Sequence, residues 1–240
     1  MAHPDAHGLA GAQIDRYLME RRLRHKPRKE AVKETPTPRP VITLSSTMGV
    51  PVKQIAERAA GELGFHVIDR EVLKSIERDT QLGERILAAL DEGSRSTLDA
   101  WIAGWLDYNS PVVDVRNFHH MLTRVIRGIS LHGEAVLIGR GASFALRETQ
   151  AYRVRITAPE EVRVEALIAE MAAAGRSLSH ADARKQIEAD AVRQRSFVHT
   201  YFRMNINDPE VYDAIFNLRT LNPEVGAGLI LDGYARVIGS

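Results

Sequence analysis

A chain of 240 residues that is 44% hydrophobic and 26% charged, with a net charge of +1, has enough apolar mass for a folded core, as one large α/β domain or two smaller ones. The absence of cysteine excludes a disulfide framework, a thiolate metal site and a cysteine nucleophile. No apolar run reaches bilayer length and no apolar signal core opens the chain, so a cytoplasmic protein without a membrane segment is expected.

The near-neutral total conceals an asymmetry. Residues 1–40 carry nine Lys and Arg against five Asp and Glu, and the rest of the chain is net acidic. An acidic body makes nucleic-acid binding an unlikely expectation by composition. Residues 1–39 read as a basic, proline-rich extension, partly disordered or holding one short helix. Helical spacing over Ile14–Leu23 puts Ile14, Tyr17, Leu18 and Met19 toward one face. The run TPTPRP reads as an extended, polyproline-like linker. The basic stretch RRLRHKPRK fits a patch for nucleic acid, an anionic membrane or a partner. It fits a solvated tail better, because Pro27 and Glu30 interrupt it.

Residues 41–63 look like the organising unit. An apolar strand, Val41–Leu44, enters a polar turn through Gly49, and an amphipathic helix follows from Val52 to Leu63. Strand, glycine-bearing turn and helix, with Lys53 at the helix start, is the build of a phosphate-binding loop. The full G-x-x-x-x-G-K-[ST] pattern is absent, since Val52 precedes Lys53 and Gln54 follows it. An ordinary strand–turn–helix unit fits the same residues.

Gly61 and Gly64 close that helix, and Phe65–Ile68 reads as a second strand. Asp69 and Arg70 follow it directly, where open parallel sheets bind ligands; a helix cap by Asp69 fits equally well. Residues 71–132 are helical by pattern, with a break near 80–83, two tryptophans on one face (Trp101, Trp105) and a loop at Asn109–Pro111. The adjacent His119 and His120 face different directions on a helix and make a poor metal pair. Ala135–Ile138 is a fully apolar strand of the buried parallel type. Gly139-Arg140-Gly141 at its end suits either an anion grip or a glycine-permitted turn with a structural arginine.

Tyr152–Ile156 alternates as a strand. A helix start at Thr157–Glu160 leads to about Ala174, where Gly175 stops it. Ser179-x-x-Asp182 caps a long charged helix to about Tyr201, whose Arg184, Lys185, Asp190, Arg193 and Arg195 would normally be a solvated face. A loop at 205–210, a strand at 213–218 and a helix at 223–237 finish the chain, although Gly226, Gly228 and Gly233 weaken the last helix. Five short strands separated by helices imply an α/β fold, a parallel sheet with helices on both faces.

The motifs ITLSS-x-x-G, IAERAA, IDREVL, VLIGRGA, DAVRQRSF and DPEVYDAIFN occur in this order over roughly residues 40–235. In this combination the chain resembles the cytidylate kinase-like family of P-loop nucleoside monophosphate kinases. The resemblance implies a three-layer P-loop nucleoside-kinase-like fold with a five-stranded parallel sheet, over residues 40–240. It also implies a helical insertion at about 75–115 and a helical lid at about 176–208. The implied activity is transfer of the ATP γ-phosphoryl group to CMP or dCMP with Mg²⁺, in which catalysis is chiefly alignment and charge neutralisation. By position, Ser46, Gly49, Lys53 and Gln54 would hold the ATP phosphates. Asp69, Arg70, Gly139, Arg140 and Asp190 would hold the nucleoside monophosphate. Lys53, Arg193 and Arg195 would be catalytic, with Arg184 and Asp213 as weaker candidates; no protein metal ligand is assigned. The turn departs from the family pattern at Val50-Pro51-Val52, where Pro51 has no N–H to donate, and Gln54 lacks the hydroxyl that usually meets magnesium. Two functions follow: an active kinase, or a catalytically impaired relative that binds a nucleotide or a protein partner in a regulatory role. The extension would serve a homo-oligomer or a protein partner.

Overall fold

The structure, a computed structural model, describes residues 6–24, 40–78, 80–90, 95, 96, 98, 114–220 and 222–238. Trp101, Trp105, the loop at 109–111, most of the expected insertion and the linker at 25–39 lie outside the described residues. The described elements run α1 (Ala6–Arg24), β1 (Ile42–Ser46), α2 (Val52–Leu63), β2 (His66–Ile68), α3 (Arg70–Arg78), α4 (Thr80–Ala88) and α5 (Asp114–His132). They continue with β3 (Ala135–Ile138), α6 (Ala142–Ala145), β4 (Tyr152–Thr157), α7 (Glu160–Ala173), α8 (His180–Phe202), β5 (Ala214–Asn217) and α9 (Pro223–Val237).

All strands are parallel, in the order β2-β3-β1-β4-β5. The runs that form the middle of the sheet are apolar because both faces are covered: all four residues of β3 are buried. One face packs on α1, α3 and α5 through Ile14, Tyr17, Ile68, Leu73, Leu122, Ile126 and Ile129. The other packs on α2 and α9 through Ile42, Leu44, Ile55, Val154, Ile156 and Ile230. The result is the expected three-layer α/β architecture.

Three local differences from the sequence expectation have physical causes. β1 extends through Ser45 and Ser46, which read as turn residues, because both pair in register with β4 opposite Arg155 and Ile156. The three glycines that weaken α9 in isolation include two at close contacts. A Cβ on Gly233 would collide with the Tyr152 hydroxyl, and one on Gly226 would lie 2.9 Å from Ile55 Cδ1. Helix propensity is thus overridden by the close approach of α9 to the sheet and α2.

The third difference is α1. It is longer than the expected Ile14–Leu23, and it docks on the body of the protein: Ala10, Ile14 and Tyr17 are buried, whereas Met19 is exposed. The Tyr17 hydroxyl donates to Gly133 O at 2.8 Å, at the turn that leads into β3. Tyr17→Phe removes that donor and leaves a buried carbonyl short of a partner. Its expected cost is about 1 kcal/mol, read as a lowered urea midpoint at unchanged slope.

Candidate functional site

Parallel strands aim their carboxyl ends at one edge of the sheet, and that edge is where ligands bind in open α/β folds. The residues following β1, β2 and β3 meet there. Lys53, at the start of α2, holds its Nζ 3.4 Å from Asp69 Oδ2, just past β2. The other Asp69 oxygen accepts the backbone N–H groups of Glu71 and Val72 at 3.0 Å each, so Asp69 caps α3 and faces Lys53 at the same time. The aliphatic stem of Arg70 passes over Gly139, where a Cβ would stand 3.9 Å from Arg70 Cδ.

Beyond β3, Gly139, Arg140 and Gly141 all have positive φ, at 72°, 50° and 75°. For arginine this is a strained conformation, costing on the order of 1–3 kcal/mol, and such outliers concentrate at functional positions. The guanidinium of Arg140 lies 4.6 Å from the centre of the Phe197 ring on α8. Lys53, Asp69, Arg70, Gly139 and Arg140 are thereby brought to one part of the sheet edge.

The long helix α8 crosses the same edge. Its start is the expected cap: Ser179 Oγ accepts the Asp182 N–H at 3.1 Å. Gln194 donates to the Ser46 carbonyl at 3.1 Å and to Asp190 Oδ2 at 2.7 Å, which ties α8 to the end of β1. Asp190 is buried and also meets Arg193, at 3.3 Å, as an i,i+3 couple. Arg184 is engaged by Glu160 and Glu161 of α7, and those carboxylates hold its pKa above the ordinary value.

Between the turn after β1, β4, α7 and α8 lies a cleft of about 590 Å³, lined by Thr47, Met48, Arg155, Arg163, Arg184, Asp190 and Arg195 among others. Arg195, Arg184 and Asp190 of the expected site are therefore in the cleft. Lys53, Gln54, Asp69, Arg70, Gly139, Arg140 and Arg193 are not among its lining residues. Asp213 stands at the opposite, amino-terminal end of β5. It grips Arg153 through Nη2 at 2.7 Å and Nε at 3.0 Å.

The turn itself is not open. Gly49 has φ of 90° and presses on α7, where a Cβ would lie 2.6 Å from Arg163 O. The Thr47 N–H donates to Ile156 O, the Val50 N–H to Thr47 O and the Val52 N–H to Val50 O. Pro51 has no N–H. The first turn of α2 leaves the Lys53 and Gln54 amides without an intrahelical acceptor, as at any helix start. A phosphate cradle needs converging loop amides, and here those of Thr47, Val50 and Val52 are spent on backbone carbonyls. The Gln54 side chain is exposed, and among the described residues no group of three or more His, Asp or Glu could hold a metal ion. Three spent amides, a proline at 51 and no hydroxyl at 54 make this turn a poorer fit to a magnesium–triphosphate than the family's glycine-rich loop.

Arg155 was not singled out by sequence: the alternation of YRVRI marks a strand and nothing more. The available signal was two arginines, at 153 and 155, on one face of a strand flanked by apolar residues, where a charge demands a partner.

The model of the cytidylate kinase-like family matches residues 41–220. No curated protein matches. Among solved structures, an uncharacterized protein from Eubacterium ventriosum is similar with a TM-score of 0.59 at 12% identity, covering 81% of this chain and 97% of that one. A shikimate kinase from Bacteroides thetaiotaomicron aligns with a TM-score of 0.41 at 13% identity, over 84% of this chain and 99% of that one. Among the described residues no helix is long and apolar enough to cross a membrane.

Proposed function

The chain belongs to the cytidylate kinase-like family, and from that premise we propose that this nucleotide-kinase-like protein binds a pyrimidine nucleoside monophosphate, CMP or dCMP, while its transfer of the ATP γ-phosphoryl group is impaired. The observation that carries this reading is the turn after β1, where the Thr47, Val50 and Val52 amides are spent on backbone carbonyls and Pro51 has none to offer. In this reading Lys53, Asp69, Arg70, Gly139 and Arg140 hold the monophosphate nucleotide, and residues 176–208 are the lid, fastened by Gln194 to β1. A nucleotide site retained beside an inoperative donor loop suits a regulatory protein. A cytoplasmic setting and a partner for the basic extension belong to the same reading.

The test is a coupled ADP-release assay with ATP, Mg²⁺ and a panel of nucleoside monophosphates at high protein concentration. No turnover above background is expected with any acceptor. The active-kinase reading is favoured by one observation, the Lys53–Asp69 pair, at the same sheet edge as the strained Arg140. If CMP or dCMP is turned over, that reading stands. Lys53→Ala and Arg140→Ala should then each lower kcat/KM by roughly tenfold or more, at least ~1.4 kcal/mol of transition-state binding.

A further inference from the structure

One face of α8 reaches the ends of two strands. Asp190, Gln194 and Phe197 recur at i, i+4 and i+7, so they share a face of the helix. Gln194 bonds the Ser46 carbonyl at the end of β1. Phe197, on the next turn, meets the guanidinium of Arg140 in the loop that follows β3, with Cζ 4.6 Å from the ring centre. The half-buried ring packs on Tyr201 and Phe202, at centroid distances of 4.8 Å and 6.3 Å, and those neighbours brace it.

The same end of α8 shapes the loop. A Cβ on Gly141 would collide with the Phe202 ring and stand 3.4 Å from Phe197 Cε1, so glycine lets the loop pass this close to the helix. Arg140, with φ of 50° between two positive-φ glycines, reaches across to α8. A non-glycine residue in this conformation persists only where its surroundings over-determine it, and the Phe197 contact is one such constraint.

An aromatic partner differs from a carboxylate in what it leaves behind. A carboxylate neutralises a guanidinium and takes its N–H groups, as Asp213 does with Arg153. A ring facing the guanidinium carbon attracts the cation through its quadrupole, spends none of the N–H donors and leaves the charge in place. Such a partner orients an arginine in advance and still allows it to meet an anion.

We propose that Phe197 is a positioning residue for Arg140: its ring holds the guanidinium ready for the phosphate of a nucleoside monophosphate, which makes α8 part of the acceptor side of the site. The identity of the anion rests on the reading above; the orientation of Arg140 by Phe197 does not.

Two measurements on the full chain test it. Replacing Phe197 by pentafluorophenylalanine keeps the shape of the ring and reverses the charge of its face, a change that a packing role alone would not register. Calorimetry with CMP is expected to show affinity weakened roughly three- to tenfold, the loss of one cation–ring attraction. Phe197→Leu should lose at least as much, and Phe197→Tyr should stay within about twofold of the wild type. Should Phe197→Leu not fold, the fluorinated ring decides alone. In side-chain NMR the Arg140 Nε–H proton, assigned through Arg140→Lys, should lie upfield in the wild type and in Phe197→Tyr, and return to an ordinary position in Phe197→Leu. An unshifted Arg140 in the wild type, or CMP affinity that the fluorinated ring leaves unchanged, overturns the proposal. If Arg140 is shifted but the wild type binds no CMP, the nucleotide reading falls, and Phe197 falls with it as a positioning residue for that ligand.

Discussion

Gly49→Ala should destabilise the protein by roughly 2–6 kcal/mol without any ligand present, a large part of a typical folding free energy. Two costs add. A φ of 90° is unfavourable for any residue with a Cβ. The added methyl would also meet Arg163 O at 2.6 Å and Arg163 Cα at 2.9 Å, which are backbone atoms that cannot swing aside. Gly175→Ala is the internal control. Its φ is 70°, but nothing lies within 4 Å of its added Cβ, so only the conformational cost remains, about 1 kcal/mol. Urea denaturation of the two variants separates the terms. A loss below about 1 kcal/mol in Gly49→Ala would contradict the packing of the turn on α7. In a phosphate loop this glycine exists to let a ligand approach; here it lets a helix approach.

The second large effect belongs to the pair Arg153–Asp213, whose side chains are 17% and 20% exposed. Asp213 accepts from the Arg153 side chain and from the Arg153 backbone N–H at 2.7 Å, so it fixes both the guanidinium and the start of β5. Asp213→Ala leaves a mostly buried guanidinium without its charge partner. We expect a loss of roughly 2–4 kcal/mol, somewhat below that for a fully buried pair because a fifth of each side chain reaches water. The pH dependence has a definite sign. Burial alone would raise the Asp213 carboxyl, but the Arg153 hydrogen bonds and charge together bring it below its ordinary value of 3.8. A carboxyl depressed in the folded state contributes stability above its unfolded pKa and loses it as pH falls through the folded one. Wild-type stability should therefore fall below about pH 4 more steeply than that of Asp213→Asn. Parallel acid-unfolding curves for the two would remove this pair from the account.

Features set by neighbouring residues were legible in the sequence. The Ser179–Asp182 cap, the apolar β3 run and the Pro223 start of α9 each depend on signals within a few residues. So does the alternation of strands and helices that implies a parallel sheet. That Lys53, Asp69 and Arg140 lie toward the same edge of the sheet was legible as well, because parallel topology sends the ends of β1, β2 and β3 there. What was hidden depends on distant partners. Tyr17 bonds a carbonyl 116 residues away, which is why α1 read as part of a tail. Ser45 and Ser46 look like turn residues until β4 pairs with them. The same pairing sets Arg155 beside Ser45, and no local pattern distinguishes it from Arg153, whose acid lies 60 residues on. The role of Gly49 was half visible: positive φ follows from the turn, but the pressure from Arg163 does not.

The central claim is that the monophosphate side of the site survives while the donor loop does not. Calorimetric titration of the full chain with CMP, in the absence of ATP and magnesium, tests it most directly. The account predicts one CMP bound per chain, with affinity reduced at least tenfold in Arg140→Ala and unaffected by magnesium. No measurable CMP binding, or binding that Arg140→Ala leaves intact, would contradict it.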